Sequence, residues 1–349
     1  MSPRTPSFAA RTTGLSLVEL LVAMTIGLIV IGVGFSSYLN VAANTRNATA
    51  MARMTEDASI ALGILRANIA MAGYSRPTGV EMASDTVGGT VHNYEVMTRA
   101  FKGGTTAEGD DNNFIAGCDG SFADPKAHEL DIALLADTSS KACAGNQDPD
   151  AIAVVYEADT DNTTYPDKNG NPTDCLGNAL PNREGDLGKP DLRLVSNKFY
   201  IGTATDTGGA AGLYCQGNGR TGPTSKADND ALPSAVAPQM IVENVTDLQV
   251  TYGIAAFEDG ARVPSPNALA YVTAKDLQTL KGTEKWSRVV SVRICVQVQS
   301  PSTIKVNTSE QPKYLDCQGA IRDNNTGVFV HTFTTTVVLH NRINNGIGT

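Results

Sequence analysis

The chain has 349 residues, 27 Lys and Arg against 36 Asp and Glu, a formal net charge of -9, and 41% hydrophobic residues. That apolar share excludes a wholly disordered or collagen-like chain, and the acidic balance speaks against a nucleic-acid partner, because binding by phosphate neutralisation needs a basic face. Charge is uneven: residues 101–191 hold 18 acidic and six basic side chains, whereas the 26 positions from Leu20 to Thr45 hold no charged side chain at all.

A helix rises about 1.5 Å per residue, so the uncharged run is long enough to cross the ~30 Å hydrocarbon layer of a bilayer. Arg4 and Arg11 precede it with no acidic residue before Glu19, which keeps the N-terminus cytoplasmic and sends the remainder outward. Two fates of this segment are open. An ordinary secretory signal would be cut after small residues such as Val41-Ala42-Ala43 or Ala48-Thr49-Ala50, although its apolar core is normally 7–15 residues. Cleavage after Gly14 would instead remove only the polar leader and leave the apolar helix in place. Glu19 is the anomalous residue, since a carboxylate in an apolar membrane segment costs several kcal/mol and usually has a polar partner. A new amino group on Leu15 would lie one helical turn away, and snorkelling to the cytoplasmic interface is the alternative.

The run Gly14-Leu15-Ser16-Leu17-Val18-Glu19-Leu20-Leu21-Val22-Ala23-Met24 resembles the class III signal of type IV prepilins. The resemblance implies that a prepilin peptidase cuts after Gly14 and methylates Leu15, and that Glu19 meets the N-terminal amine of an adjacent subunit during assembly. Leu15 replaces the usual phenylalanine. Ser36 stands where many major pilins have a helix-kinking proline, which leaves the shape of the helix open.

Beyond Asn40 the pattern becomes amphipathic. Met51, Met54, Ala58, Leu62, Leu65 and Ile69 recur at the period of one helical face, with Arg53, Glu56, Asp57 and Arg66 opposite. Gly73 and Pro77 punctuate the end, so a helix from about Leu15 to Ala72 is predicted, roughly 85 Å long. Gly27, Gly32 and Gly34 weaken an isolated helix by about 1 kcal/mol each, and Ala23 with Gly27 forms a small-xxx-small pair suited to helix packing.

From Thr78 onward the sequence reads as strands between polar loops. The strand candidates are Leu130 to Leu135, Ala151 to Glu157, Leu192 to Ile201, Leu248 to Ala256, Val289 to Gln299 and Val328 to Leu339. The last two alternate polar and apolar residues, so each is expected to have one solvated face and to pair in an antiparallel sheet on the amphipathic helix. Long polar connections fall at Gly202 to Gly212, Gln216 to Pro238 and Asn162 to Lys189. Val242-Glu243-Asn244-Val245-Thr246-Asp247-Leu248-Gln249-Val250-Thr251-Tyr252, Trp286 to Arg293 and Val338-Leu339-His340-Asn341-Arg342 are similar to the C-terminal half of PilW-type minor pilins, with a weaker likeness to J-type pseudopilins of type II secretion. The implied fold class is α+β and pilin-like: a long N-terminal helix packed on an antiparallel β-sheet head with long disulfide-tied loops. The division expected is 1–14 leader, 15–39 transmembrane and assembly helix, 40–73 amphipathic helix, 74–240 elaborated loop-rich β region and 241–349 C-terminal sheet.

Six cysteines, Cys118, Cys143, Cys175, Cys215, Cys295 and Cys317, favour disulfides in an exported chain, and six allow 15 connectivities. Pairing in chain order is expected, Cys295 with Cys317 above all because they flank the connection between the two best strands. No pair makes C-x-x-C, so zinc is not expected. Gly217-Asn218-Gly219-Arg220-Thr221-Gly222 fits G-x-G-x-x-G but runs into Pro223 rather than a helix, so a glycine-rich loop and not a dinucleotide site is expected. Asp159, Asp161 and Asp167 offer oxygen donors that could bind calcium, although their spacing does not fit the EF-hand loop. His92, His128, His331 and His340 show no metal or catalytic spacing, and neither enzymatic activity nor a cofactor is expected.

The resemblance implies a structural minor pilin that joins a tip or priming complex for type IV pilus assembly after processing. Its implied partners are other minor pilins and the major pilin, the prepilin peptidase, the inner-membrane assembly platform and, at the outermost, a large tip adhesin. The implied location is the inner membrane with the C-terminal region in the periplasm, then the pilus at the cell surface. A J-type pseudopilin and a secreted binding protein cleaved after Ala43 are the alternatives.

Overall fold

The structure is a computed structural model that describes residues 14, 16–87, 89–99, 114–124, 143–144, 149–159, 162, 170–180, 193–203, 209–220, 236–256, 267–280, 285–301, 313–325 and 327–343. It divides into two compact units, Met1–Ala52 and Arg53–Thr349. Helix α1 (Leu17–Met71, 55 residues) begins in the first and ends in the second.

In the first unit the large apolar side chains of α1 are uncovered. Leu17, Leu28, Ile31 and Phe35 are each more than 60% exposed, and the most apolar stretch has no buried share. By length and composition this helix can cross a membrane. The helix passes through Ser36 without a break, and the Ser36 hydroxyl donates to the carbonyl of Val33 at 3.0 Å.

In the second unit the last part of α1 buries Met54, Ala58, Ala61, Leu65, Asn68 and Ile69, and Ala72 just past its end is buried as well. This is the face that the 3.6-residue period predicts, with Ala61 fully buried where Leu62 is only half-buried; Met51 is 47% exposed and lies outside it. Gly73 ends the helix at φ +74°, and a Cβ there would stand 2.9 Å from the Phe114 ring. Both facts require glycine.

Beyond α1, β1 (Pro77–Val87) and β2 (Thr90–Arg99) form an antiparallel hairpin. Strands β3 (Ile115–Cys118), β4 (Ala151–Glu157), β5 (Leu194–Thr203), β6 (Ala211–Gln216) and β7 (Gln239–Glu243) follow one another in a five-stranded antiparallel sheet. Next come β8 (Val245–Ile254), β9 (Ala270–Val272), helix α2 (Ala274–Thr279), a 3-10 turn Trp286–Arg288, β10 (Val289–Gln299), a small hairpin of β11 (Lys313–Leu315) and β12 (Ile321–Asp323), β13 (Val330–Val338) and helix α3 (His340–Ile343). The second large sheet has the order β13-β10-β8-β9, all antiparallel. Side chains of α1, β4, β5, β8 and β10 join in one hydrophobic core that includes Leu65, Ile69, Phe199, Leu248, Tyr252 and Ile294, each worth about 1.5–3 kcal/mol relative to exposure.

Strands β4 and β10 coincide with the predicted segments, and β5, β8 and β13 overlap theirs within three residues; Leu130 to Leu135 lies outside the described residues. The solvated face expected for β10 is absent. Only Arg293 is exposed along it, because β10 is the central partner of β8 and β13 and its outer face carries Tyr271 of β9 against Arg293 and the Cys295–Cys317 link. The connection expected at Gly202 to Gly212 is interrupted by the start of β6, which pairs with both β5 and β7.

Candidate functional site

The prepilin-like motif sits at the first turn of α1. The backbone N–H of Ser16 donates to Glu19 Oε2 at 3.0 Å, and the N–H of Glu19 donates to Ser16 Oγ at 3.3 Å. This reciprocal pair is a capping box: each side chain satisfies a backbone donor that the start of a helix leaves without a carbonyl. The S-x-x-E spacing was readable in the sequence, beneath the signal motif that contains it. Gly14 is exposed and Leu15 lies outside the described residues. Further along, Thr25 and Ser36 turn their hydroxyls onto Val22 and Val33 of the same helix, which leaves the surface of the segment apolar. A Cβ on Gly27, Gly32 or Gly34 would meet nothing within 4 Å, so no contact among the described residues requires these glycines.

The cysteines pair in chain order, Cys118–Cys143, Cys175–Cys215 and Cys295–Cys317. Cys215 and Cys118 are buried, whereas Cys317 belongs to the turn between β11 and β12, so the third disulfide ties that hairpin to β10.

The glycine-rich loop wraps a carboxylate of its own chain. Asp174 Oδ2 accepts from Gly219 N–H at 2.8 Å, and Oδ1 accepts from the N–H groups of Leu176 and Asn178. A Cβ on Gly217 would lie 2.1 Å from Asp174 Oδ2. The glycines serve a close backbone approach to an anion, the use that dinucleotide loops make of them, with an aspartate where phosphate would sit. Burial raises the Asp174 carboxyl above its ordinary value, against the three N–H donors.

Of the proposed calcium donors, Asp161 and Asp167 lie outside the described residues. Asp159 exchanges hydrogen bonds with Asn162, N–H to Oδ1 in both directions, and Tyr74 donates to its Oδ2 at 3.5 Å. Among the described residues no group of three or more His, Cys, Asp or Glu could hold a metal ion. His331 is exposed on β13, and His340 opens α3.

Asp150 carries no local signal in the sequence. It is buried, takes Gly120 N–H on Oδ1 and Val250 N–H on Oδ2, and donates its own N–H to Leu248 O. It therefore stitches β4 to β8 across the two large sheets. Burial pushes its carboxyl up to about 7 despite the two donors, with Asp119 and Asp247 adding to the rise.

The three segments that carried the C-terminal resemblance each close a junction. Asn244 forms the corner between β7 and β8 and donates to Asp57 of α1 at 3.1 Å. Trp286 packs edge-on against Tyr252, ring centroids 5.0 Å apart. Asn341 donates to Ala70 O at 3.1 Å, satisfying a carbonyl in the last turn of α1.

No curated protein matches the chain. A solved structure, a type IV-like pilin TTHA1219 from Thermus thermophilus, is similar over 83% of this chain and 98% of that chain, at 10% identity and a TM-score of 0.31. Residues 198–341, which hold the corner, the aromatic pair and the helix-capping asparagine, match the family of the type IV pilus-assembly protein W, PilW.

Proposed function

We propose that the chain is a structural minor pilin, released from its leader by a prepilin peptidase after Gly14, methylated on Leu15 and incorporated into a tip or priming complex of a type IV pilus. The reading is carried by one observation: Glu19 stands at the mouth of the uncharged stretch of α1 from Leu20 to Thr45, whose large side chains are all exposed. Such a surface must be covered by lipid or by neighbouring helices. Among the described residues the Glu19 carboxylate has only a capping box with Ser16, an interaction worth about 1 kcal/mol. The amine of a neighbouring mature subunit offers a full opposite charge in an apolar setting, where an ion pair is stronger than in water. The PilW match over the head supports pilus assembly in particular. The subunit would wait in the inner membrane with its C-terminal region in the periplasm, meet other minor pilins, the major pilin and the assembly platform there, and leave with the pilus. A large adhesin would be its outermost partner.

The test is the mass of the mature N-terminus together with a Glu19→Ala variant. A start at methylated Leu15, with the variant processed normally but excluded from sheared pili, is expected. A start at Asn44, or full incorporation of the variant, sinks the reading.

A further inference from the structure

We propose that the outer edge of β13 is a docking rail for an extended, uncharged strand of another polypeptide of the assembly, which adds to the four-stranded sheet as a fifth strand. The proposal rests on the reading of the chain as an assembly subunit and names a partner surface for it. Leu339 N–H donates to Val290 O, and Ser300 N–H donates to Phe329 O. The register between β10 and β13 runs unbroken between these two bonds, so the odd-numbered residues of β13 exchange hydrogen bonds with β10. In an antiparallel ladder the alternate residues then direct N–H and C=O the other way. Val330, Thr332, Thr334, Thr336 and Val338 therefore line the edge that no other described strand pairs with. Of these N–H groups only that of Thr332 has an acceptor among the described residues, the Nδ1 of neighbouring His331 at 2.8 Å.

An exposed strand edge is a template for further pairing, and chains guard such edges with shortness, bulges, proline or lysine. The other edges of the two large sheets are short: β3 has four residues, β7 five and β9 three. β13 has nine, with no bulge, proline or formal charge. The β11–β12 hairpin approaches β13 but forms a separate sheet. The chemistry of the edge selects its occupant. On one face an added strand meets Phe333, half-buried beside His331, and buried Val337; on the other it meets the hydroxyls of Thr334 and Thr336. An uncharged segment alternating apolar with small or hydroxyl side chains satisfies both faces, since a charge beside Phe333 would lose hydration without a counter-charge.

A second copy is the natural rival, because the edge residues read Val-Thr-Thr-Thr-Val in either direction. Antiparallel self-pairing is opposed by the fold. Asp57 of α1 lies at the Asn244 corner, which accepts from Gln299 next to the start of β13, and Ala70 lies at Asn341 past its end. This part of α1 thus runs in the same direction as β13. The two-fold axis of antiparallel pairing would invert this part of the helix in the second copy, whereas subunits of a filament meet through heterologous, head-to-tail contacts that contain no two-fold axis.

The test places a p-benzoylphenylalanine photo-crosslinker at Thr334 of the full-length chain, in cells that assemble the pilus, and maps adducts by mass spectrometry. Expected is an adduct on one contiguous uncharged segment of a different polypeptide, reduced at least tenfold by Thr336→Pro. That proline removes an N–H which does not serve β10, so the melting temperature of the purified chain stays within a few degrees, whereas Thr335→Pro lowers it sharply. Adducts confined to the same chain, to β13 of a second copy, or to scattered surface residues overturn the proposal, as does no adduct in a processed and incorporated chain. A chain that is never processed overturns the assembly reading and this proposal with it.

Discussion

Asn244 stands at φ +64° and reaches the carboxylate of Asp57 at 3.1 Å, so a left-handed corner and a helix are fastened by one side chain. Its N–H donates to Ala211 O and its C=O accepts from Gln299 N–H. The residue therefore touches β6 of one large sheet, β10 of the other, and α1. A single backbone step between β7 and β8 transfers the chain from sheet to sheet, and asparagine is among the few non-glycine residues that accept the left-handed region readily.

That arrangement separates two costs. Asn244→Gly keeps the backbone conformation and loses the amide, for about 1 kcal/mol; Asn244→Ala also meets left-handed strain, for about 2–3 kcal/mol in all. Asp57→Ala is expected to cost about 1 kcal/mol in the wild-type background and almost nothing in Asn244→Gly. Chemical denaturation of the four proteins in detergent gives the coupling, and full additivity would show that the contact contributes nothing.

Tyr252 is fully buried, and its hydroxyl has no hydrogen-bond partner among the described residues. It reaches over Gly117 of β3, where a Cβ would lie 1.9 Å from the hydroxyl oxygen. Gly117→Ala is expected to destabilise by about 1–3 kcal/mol through overpacking. Tyr252→Phe should raise stability by about 1 kcal/mol, because an unpaired buried hydroxyl carries a desolvation penalty. Combined, Tyr252→Phe should recover part of the loss caused by Gly117→Ala. Thermal melts of the three variants check this; a destabilised Tyr252→Phe refutes it.

Asp150 makes the head sensitive to pH in a definite direction. Burial holds its carboxyl at about 7 in the folded chain, against an ordinary 3.8. Between about pH 4 and 7 the unfolded chain has released this proton while the folded chain retains it. The contribution of Asp150 to stability therefore falls as pH rises through that window and is constant above it, by no more than about 4 kcal/mol. Asp150→Asn, which keeps one acceptor and cannot ionise, should flatten that part of the profile. Unfolding free energies at pH 4.5 and 7.5 decide it, and an unchanged slope in the variant assigns the effect elsewhere.

What could be read from the residues depended on how local the determining forces were. The buried face of α1 follows from a 3.6-residue period within one element, and β4 and β10 from compact runs of β-branched and apolar residues. Strands β3 (Ile-Ala-Gly-Cys) and β6 (Ala-Gly-Leu-Tyr-Cys-Gln) lack any such pattern and exist because neighbours pair with them on both sides or across one, the usual way context overrides strand propensity. Asp150 was invisible because its donors, Gly120 and Val250, are 30 and 100 residues away. The Ser16–Glu19 capping box is local and was legible, but a second pattern with the same residues concealed it.

The glycine-rich loop gives the last prediction, because a motif without a nucleotide still has a physical requirement. Asp174 precedes Cys175, and the loop that wraps Asp174 begins one residue after Gln216, the neighbour of Cys215. The carboxylate thus holds together the two backbones that the Cys175–Cys215 disulfide joins. Gly217→Ala would bring a Cβ within 2.1 Å of the carboxylate, and the two segments must then separate at the expense of the Gly219 bond. Stability should fall by about 2 kcal/mol or more, since a buried carboxylate loses a donor as well as its packing. Thiol labelling after limited reduction should show faster opening at Cys175 and Cys215 than in the wild type, while Cys295 and Cys317 react as before. Equal acceleration at all three disulfides would mean global unfolding and would deny the loop this local role.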